Sequence, residues 1–158
     1  MNGLMMIPHV VPAIAAVDMT TAETKTGHIN AGLNQWVTLL VQFGSADAAS
    51  LDIAVYQTSA NTTVSATGVD CRYRLTAAVG TDLIGAVTSA TLSATATLET
   101  TGAGVASMAL VIDVDPADMT DGKKYLHATI TGSTGNNLAG ATWLLYPRYA
   151  QAVPVSST

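Results

Sequence analysis

The sequence predicts an all-β protein, an antiparallel β-sandwich or jelly-roll-like pair of sheets with about eight strands and an extended N-terminal arm. Three observations lead there. Apolar residues recur with period two along most of the chain, turn residues punctuate it at fairly even spacing, and no amphipathic helix of useful length is present. The chain has 158 residues, 49% of them apolar, enough for a single core. We expect an arm over 1–21, one sandwich domain over 22–153 and a tail over 154–158.

Met1 to Val17 carries no Lys, Arg, Asp or Glu. Its end, Ala13-Ile14-Ala15-Ala16, has the small residues of a signal-peptide cleavage site. However, no basic residue precedes them, and Pro8 and Pro12 break the apolar run. It reads as an arm that packs on a neighbour, for instance as a strand added to another subunit's sheet edge. In Trp36 to Phe43, Val37, Leu39, Val41 and Phe43 share one face and Trp36, Thr38, Leu40 and Gln42 the other, a strand covered on both sides. Leu51 to Gln57 turns Leu51, Ile53 and Val55 inward. Cys71 to Leu75 turns Arg72 and Arg74 outward. Val87 to Thr100 is a Thr/Ser/Ala alternation suited to a pleated surface. After the strand Met108–Val114, Asp115-Pro116-Ala117-Asp118 reads as a capped helical turn with Pro at its first position. Tyr125 to Thr131 puts Leu126, Ala128 and Ile130 inside, and a Gly/Asn-rich turn leads into a last long strand, Leu138 to Tyr146.

Composition narrows function. Charged residues make up 11% of the chain, against roughly 25% in an ordinary soluble domain, and so weakly charged a surface associates. The net charge is −5, and the six basic residues are Lys25, Arg72, Arg74, Lys123, Lys124 and Arg148. They form no patch able to neutralise phosphates, which argues against a nucleic-acid partner. No run approaches the roughly 18 apolar residues of a membrane helix, so no membrane partner is expected. The one cysteine, Cys71, excludes an internal disulfide framework and reads as a small buried hydrophobe. Asn61-Thr62-Thr63 matches the glycosylation sequon.

No catalytic constellation is visible, so we expect no enzyme and no cofactor. Asp113, Asp115, Asp118 and Asp121 are the strongest metal candidates. An EF-hand wants Gly at the sixth loop position and Glu at the twelfth, and counting from Asp113 these are Asp118 and Lys124. Capping and turn formation explain the carboxylates without a metal. His9, His28 and His127 lack metal-ligand spacing. There is no Gly-x-Ser-x-Gly elbow, no phosphate loop, and no dinucleotide fingerprint at Gly102-Ala103-Gly104. Glu23 and Glu99 are the only glutamates, and no carboxylate pair is flanked by aromatics as a glycosidase cleft requires. Trp143 to Tyr149 is the most conspicuous segment. Trp143 and Leu145 would point inward, while Leu144, Tyr146 and Arg148 point outward, and Trp, Tyr and Arg are enriched at interface hot spots. The candidate interface residues are therefore Met5, Ile7, Val10 and Val11 of the arm, with Tyr146, Arg148 and Tyr149.

Four features together carry a family resemblance: the strand Trp36–Phe43, Val69-Asp70-Cys71-Arg72-Tyr73-Arg74 followed by Gly80-Thr81-Asp82-Leu83, the acidic turn Val111–Met119, and the closing Leu144-Leu145-Tyr146-Pro147-Arg148-Tyr149-Ala150. Over roughly residues 24–153 the chain resembles the small β-rich virion proteins of tailed bacteriophages, whose genes often lie near that of the major capsid protein. The resemblance implies a decoration, or cement, protein. Such a protein binds the outside of the major capsid protein shell, self-associates as a dimer or trimer, and resides on the capsid surface after assembly in the host cytoplasm. It carries over no active-site residue. Other readings of the same sequence are a neck, tail or head-spike component, and a carbohydrate-binding β-sandwich.

Overall fold

The structure, a computed structural model, describes residues 8–19, 23–46, 50–76, 85–92, 98–101, 108–132 and 137–148. The fold is all-β and antiparallel, a sandwich whose sheet curls into a nearly closed, barrel-like form. Its strands are β1 (His9–Asp18), β2 (Glu23–Lys25), β3 (Ile29–Asn30), β4 (Asn34–Ala46), β5 (Ser50–Thr58), β6 (Thr67–Leu75), β7 (Thr88–Leu92), β8 (Leu98–Thr101), β9 (Ala109–Val114), β10 (Tyr125–Gly132) and β11 (Asn137–Pro147). Hydrogen bonding runs β1-β11-β4-β9-β6-β5-β10-β2, with β3 on β10, β7 on β6 and β8 on β5.

Register explains the core. Residues directly opposite one another in a sheet share a face. Val11 lies opposite Trp143, Trp143 opposite Leu39, Leu39 opposite Ile112, and Ile112 opposite Tyr73, one transverse row of large apolar side chains. The inward residues of β4, β9 and β11 meet Leu51, Ile53 and Val55 of β5 and Leu126, Ala128 and Ile130 of β10 in one cluster. β6 joins the layers: its start pairs β5 through Gly68 and Thr67, and its end pairs β9 from Arg72 to Leu75.

Several expectations change. The chain has more strands than about eight because β2 and β3 are too short to show period two. The Thr/Ser/Ala run is not one strand: Thr88–Leu92 pairs β6 and Leu98–Thr101 pairs β5. On β10, His127 and Thr129 are buried as well as the three expected inward residues. The arm is corrected most. His9–Asp18 is a strand of this sheet, hydrogen-bonded to β11 and giving Ile14 to the core, rather than a segment apart from the domain. Its period two is hidden by irregularities between Pro12 and Ile14 and between Ile14 and Val17. The tail, 154–158, lies outside the described residues.

Candidate functional site

Because β4 buries Val37, Leu39, Val41 and Phe43, the pleat turns Trp36, Thr38 and Leu40 to the opposite, outer face. Tyr146 of β11 lies opposite Trp36, Leu144 opposite Thr38, and Val111 of β9 opposite Leu40. β1 extends the same face, with Val10 opposite Leu144 and Pro12 opposite Thr142. Arg72 and Arg74 of β6 close its far side opposite Asp113 and Val111. The result is an apolar tract over β1, β11, β4 and β9, bordered by charge on β6.

Three neighbouring depressions share Trp36. One, on the apolar tract and about 560 Å³ in volume, is lined by Leu40, Val111, Leu144 and Tyr146, with Arg74, Asp113, Gln35 and Thr38 supplying polar atoms. A second, about 380 Å³, is acidic and gathers Asp70, Asp113, Asp115 and Asp118 around Arg72. The third lies between Gln35, Asp115, Ala117 and Arg148. Trp36 itself is half-buried, as an anchor at the junction of three hollows must be.

Three of the hollow's four carboxylates, those of Asp70, Asp113 and Asp115, accept hydrogen bonds within the fold. Thr38 Oγ1 donates to Asp113 Oδ1 at 2.5 Å, and the Thr91 hydroxyl donates to Asp70. Asp115 caps the 3₁₀ turn Pro116–Asp118, its Oδ1 accepting from the Ala117 N–H at 2.9 Å, with Pro at the turn's start as expected from sequence. Gln57 holds that turn down: its Oε1 accepts from the Thr120 N–H at 2.8 Å, and its Nε2 donates to the Gly68 carbonyl at 2.7 Å. Among the described residues no three His, Cys, Asp or Glu side chains converge as metal ligands. Cys71 borders the hollow but is buried, its Sγ 3.3 Å from the Ala90 carbonyl. Burial pushes its thiol up from 9.0 to about 11, so it stays protonated and unreactive at neutral pH.

The interface residues expected from sequence divide into three groups. Val10 is 55% exposed on the outer face, and Tyr146 is half-buried there. Val11 points the other way and packs against the core. Arg148 is exposed but tied in place, its Nε donating to the Asn34 carbonyl at 3.1 Å and its backbone N–H to the Leu33 carbonyl at 3.4 Å. It therefore holds the start of β4 against the end of β11. Met5, Ile7 and Tyr149 lie outside the described residues.

Sequence reasoning did not single out Trp36, Leu40 and Val111 as one surface. Their alternation in the strands is the only sequence mark, and the cross-strand register that gathers them is not written locally. It also kept the histidines apart, whereas the rings of His28 and His127 lie 4.6 Å apart and Tyr56 stacks on His127 at 5.0 Å. No protein-family model matches the chain, and no curated protein matches it in sequence.

Proposed function

We propose that this chain is a structural virion protein of tailed bacteriophages, a decoration or cement protein that binds the outside of the major capsid protein shell and stabilises the head. The observation carrying the proposal is where the family-like segments lie. Trp36–Phe43, Val69–Arg74, Val111–Met119 and Leu144–Arg148 belong to β4, β6, β9 with its turn, and β11, which are neighbours in the sheet and build one outer face. That face offers an apolar tract with a half-buried Trp and Tyr, the residue types on which interfaces concentrate binding energy. Many such modest contacts, repeated over a symmetric shell, give firm attachment without a catalytic centre.

Heads assembled from the cognate major capsid protein, mixed with the purified chain and pelleted, test the reading. The wild-type chain co-sediments, and Trp36→Ala or Tyr146→Ala lowers the bound copies at least about tenfold, the equivalent of 1.4 kcal/mol per site. Co-sedimentation that ignores both substitutions contradicts this face as the site, and no co-sedimentation contradicts the function. The same hollow supports a second reading, a carbohydrate-binding module, since Trp36 and Tyr146 flank a groove with Arg74, Asp113 and Gln35. Retention on glycans that is lost with Trp36→Ala would favour it.

A further inference from the structure

Asp121 differs from every other aspartate of the chain, because it alone is followed by glycine. The pair forms the corner of a tight turn between the 3₁₀ turn and β10, closed by the Lys123 N–H donating to the Thr120 carbonyl at 2.9 Å. Gly122 has a φ of +80°, the third-position conformation of a type II turn that favours glycine. Both corner residues are exposed, and a Cβ built on Gly122 would meet no atom within 4 Å. Among the described residues the Asp121 carboxylate accepts no hydrogen bond and the Gly122 N–H donates none. The neighbouring aspartates lack this freedom. Asp113 is held by Thr38, and Asp115 caps the 3₁₀ turn and precedes Pro116, which has no N–H. The N–H that follows Asp118, that of Met119, bonds back to the Pro116 carbonyl at 3.4 Å.

We infer that Asp121-Gly122 is a site of spontaneous covalent modification, the conversion of Asp121 to isoaspartate. The Gly122 backbone nitrogen attacks Cγ of the Asp121 side chain. The nitrogen gives up its proton, the carboxyl gives up its hydroxyl, and one water leaves a five-membered succinimide. Water then adds to the Asp121 main-chain carbonyl carbon and breaks its bond to the Gly122 nitrogen, so that the chain continues through Cγ. The former main-chain carbonyl becomes a free carboxylate, and the two steps together need no oxidant, reductant or other reactant. Adjacent placement makes the attack intramolecular. Glycine favours it further, because a Cβ on residue 122 would crowd the attacking nitrogen. The modified backbone is one methylene longer. That length enters between Thr120, whose N–H is held by Gln57, and Lys124, whose N–H bonds the Thr58 carbonyl at 3.0 Å. The site depends on this turn alone and does not rest on the capsid reading.

The test holds the full folded chain at neutral pH, below its melting temperature, for weeks. Fragmentation mass spectrometry then locates isoaspartate, and methyl transfer from S-adenosylmethionine by an isoaspartyl methyltransferase counts it. Isoaspartate accumulates at Asp121 at least about tenfold faster than at any other described aspartate, accompanied by a species one water lighter. Asn2-Gly3, outside the described residues, reports in a separate peptide and is told apart by the mass gained on deamidation. Asp121→Glu, which would have to close a six-membered ring, removes the signal and keeps the circular dichroism of the wild type. Asp121→Asn, which expels ammonia instead of water, reacts at least about tenfold faster than the wild type. The inference is overturned if Asp121 reacts no faster than the other aspartates, or if the signal survives Asp121→Glu. A urea-unfolded chain that reacts at Asp121 about tenfold faster than the folded one overturns it too, because the turn would then protect the pair.

Discussion

Trp143 should be the most expensive single truncation in the chain. It is 1% exposed, between Val11 and Leu39 in the row that runs on through Ile112 to Tyr73. Trp143→Ala removes nearly the whole side chain from a site that neighbouring strands hold open, and such changes cost about 3–5 kcal/mol. A second substitution separates packing from polarity. The indole Nε1 is buried without a hydrogen-bond partner among the described residues, a state that costs about 1–3 kcal/mol. Trp143→Phe keeps most of the ring and deletes that donor, so the two effects oppose and the net change stays within about 1.5 kcal/mol. Urea denaturation followed by circular dichroism reads both variants. With a slope of about 1–3 kcal/mol/M, the Ala variant's midpoint falls by more than about 1 M while the slope holds. An Ala variant within about 1 kcal/mol of wild type would refute the placement of Trp143 in the core. A Phe variant as damaged as the Ala one would refute the unpartnered donor.

Other outcomes follow from the same structure. Gly132→Ala should destabilise strongly, by more than about 3 kcal/mol, because a Cβ there would sit 1.5 Å from the Met19 carbonyl oxygen; thermal melting checks it. Arg148→Ala should cost about 1 kcal/mol, the worth of its bond to the Asn34 carbonyl, rather than the 0.5 kcal/mol or less of an unattached surface residue; denaturant titration distinguishes the two. Cys71, with its thiol raised from 9.0 to about 11, favours the folded state while protonated. That contribution is complete below pH 9 and is lost as pH rises from 9 to about 11, a loss that Cys71→Ala abolishes.

The sandwich was legible because its long strands carry their own signature. In Leu51–Gln57 and Trp36–Phe43, alternation alone names the inward residues, and Asp115-Pro116 announces its turn by local capping chemistry. What stayed hidden depends on pairing between distant segments. β1 reads as an arm in sequence, since its irregularities spoil the alternation and nothing local shows that β11 receives it. Trp36, Leu40, Val111 and Leu144 read separately as flanks of three strands, and only register makes them one surface. Arg148 shows the converse: alternation points it outward as an interface residue, while its actual partner is a carbonyl far away in sequence.

The central claim, attachment to a capsid shell, is tested most directly by counting this chain in purified particles whose genome encodes it, by mass spectrometry against the major capsid protein. The account predicts hundreds of copies per particle, in a fixed ratio to the capsid lattice and removed by agents that leave the shell intact. About six or twelve copies would instead assign the chain to a neck or tail ring, and its absence from particles would contradict a virion role altogether.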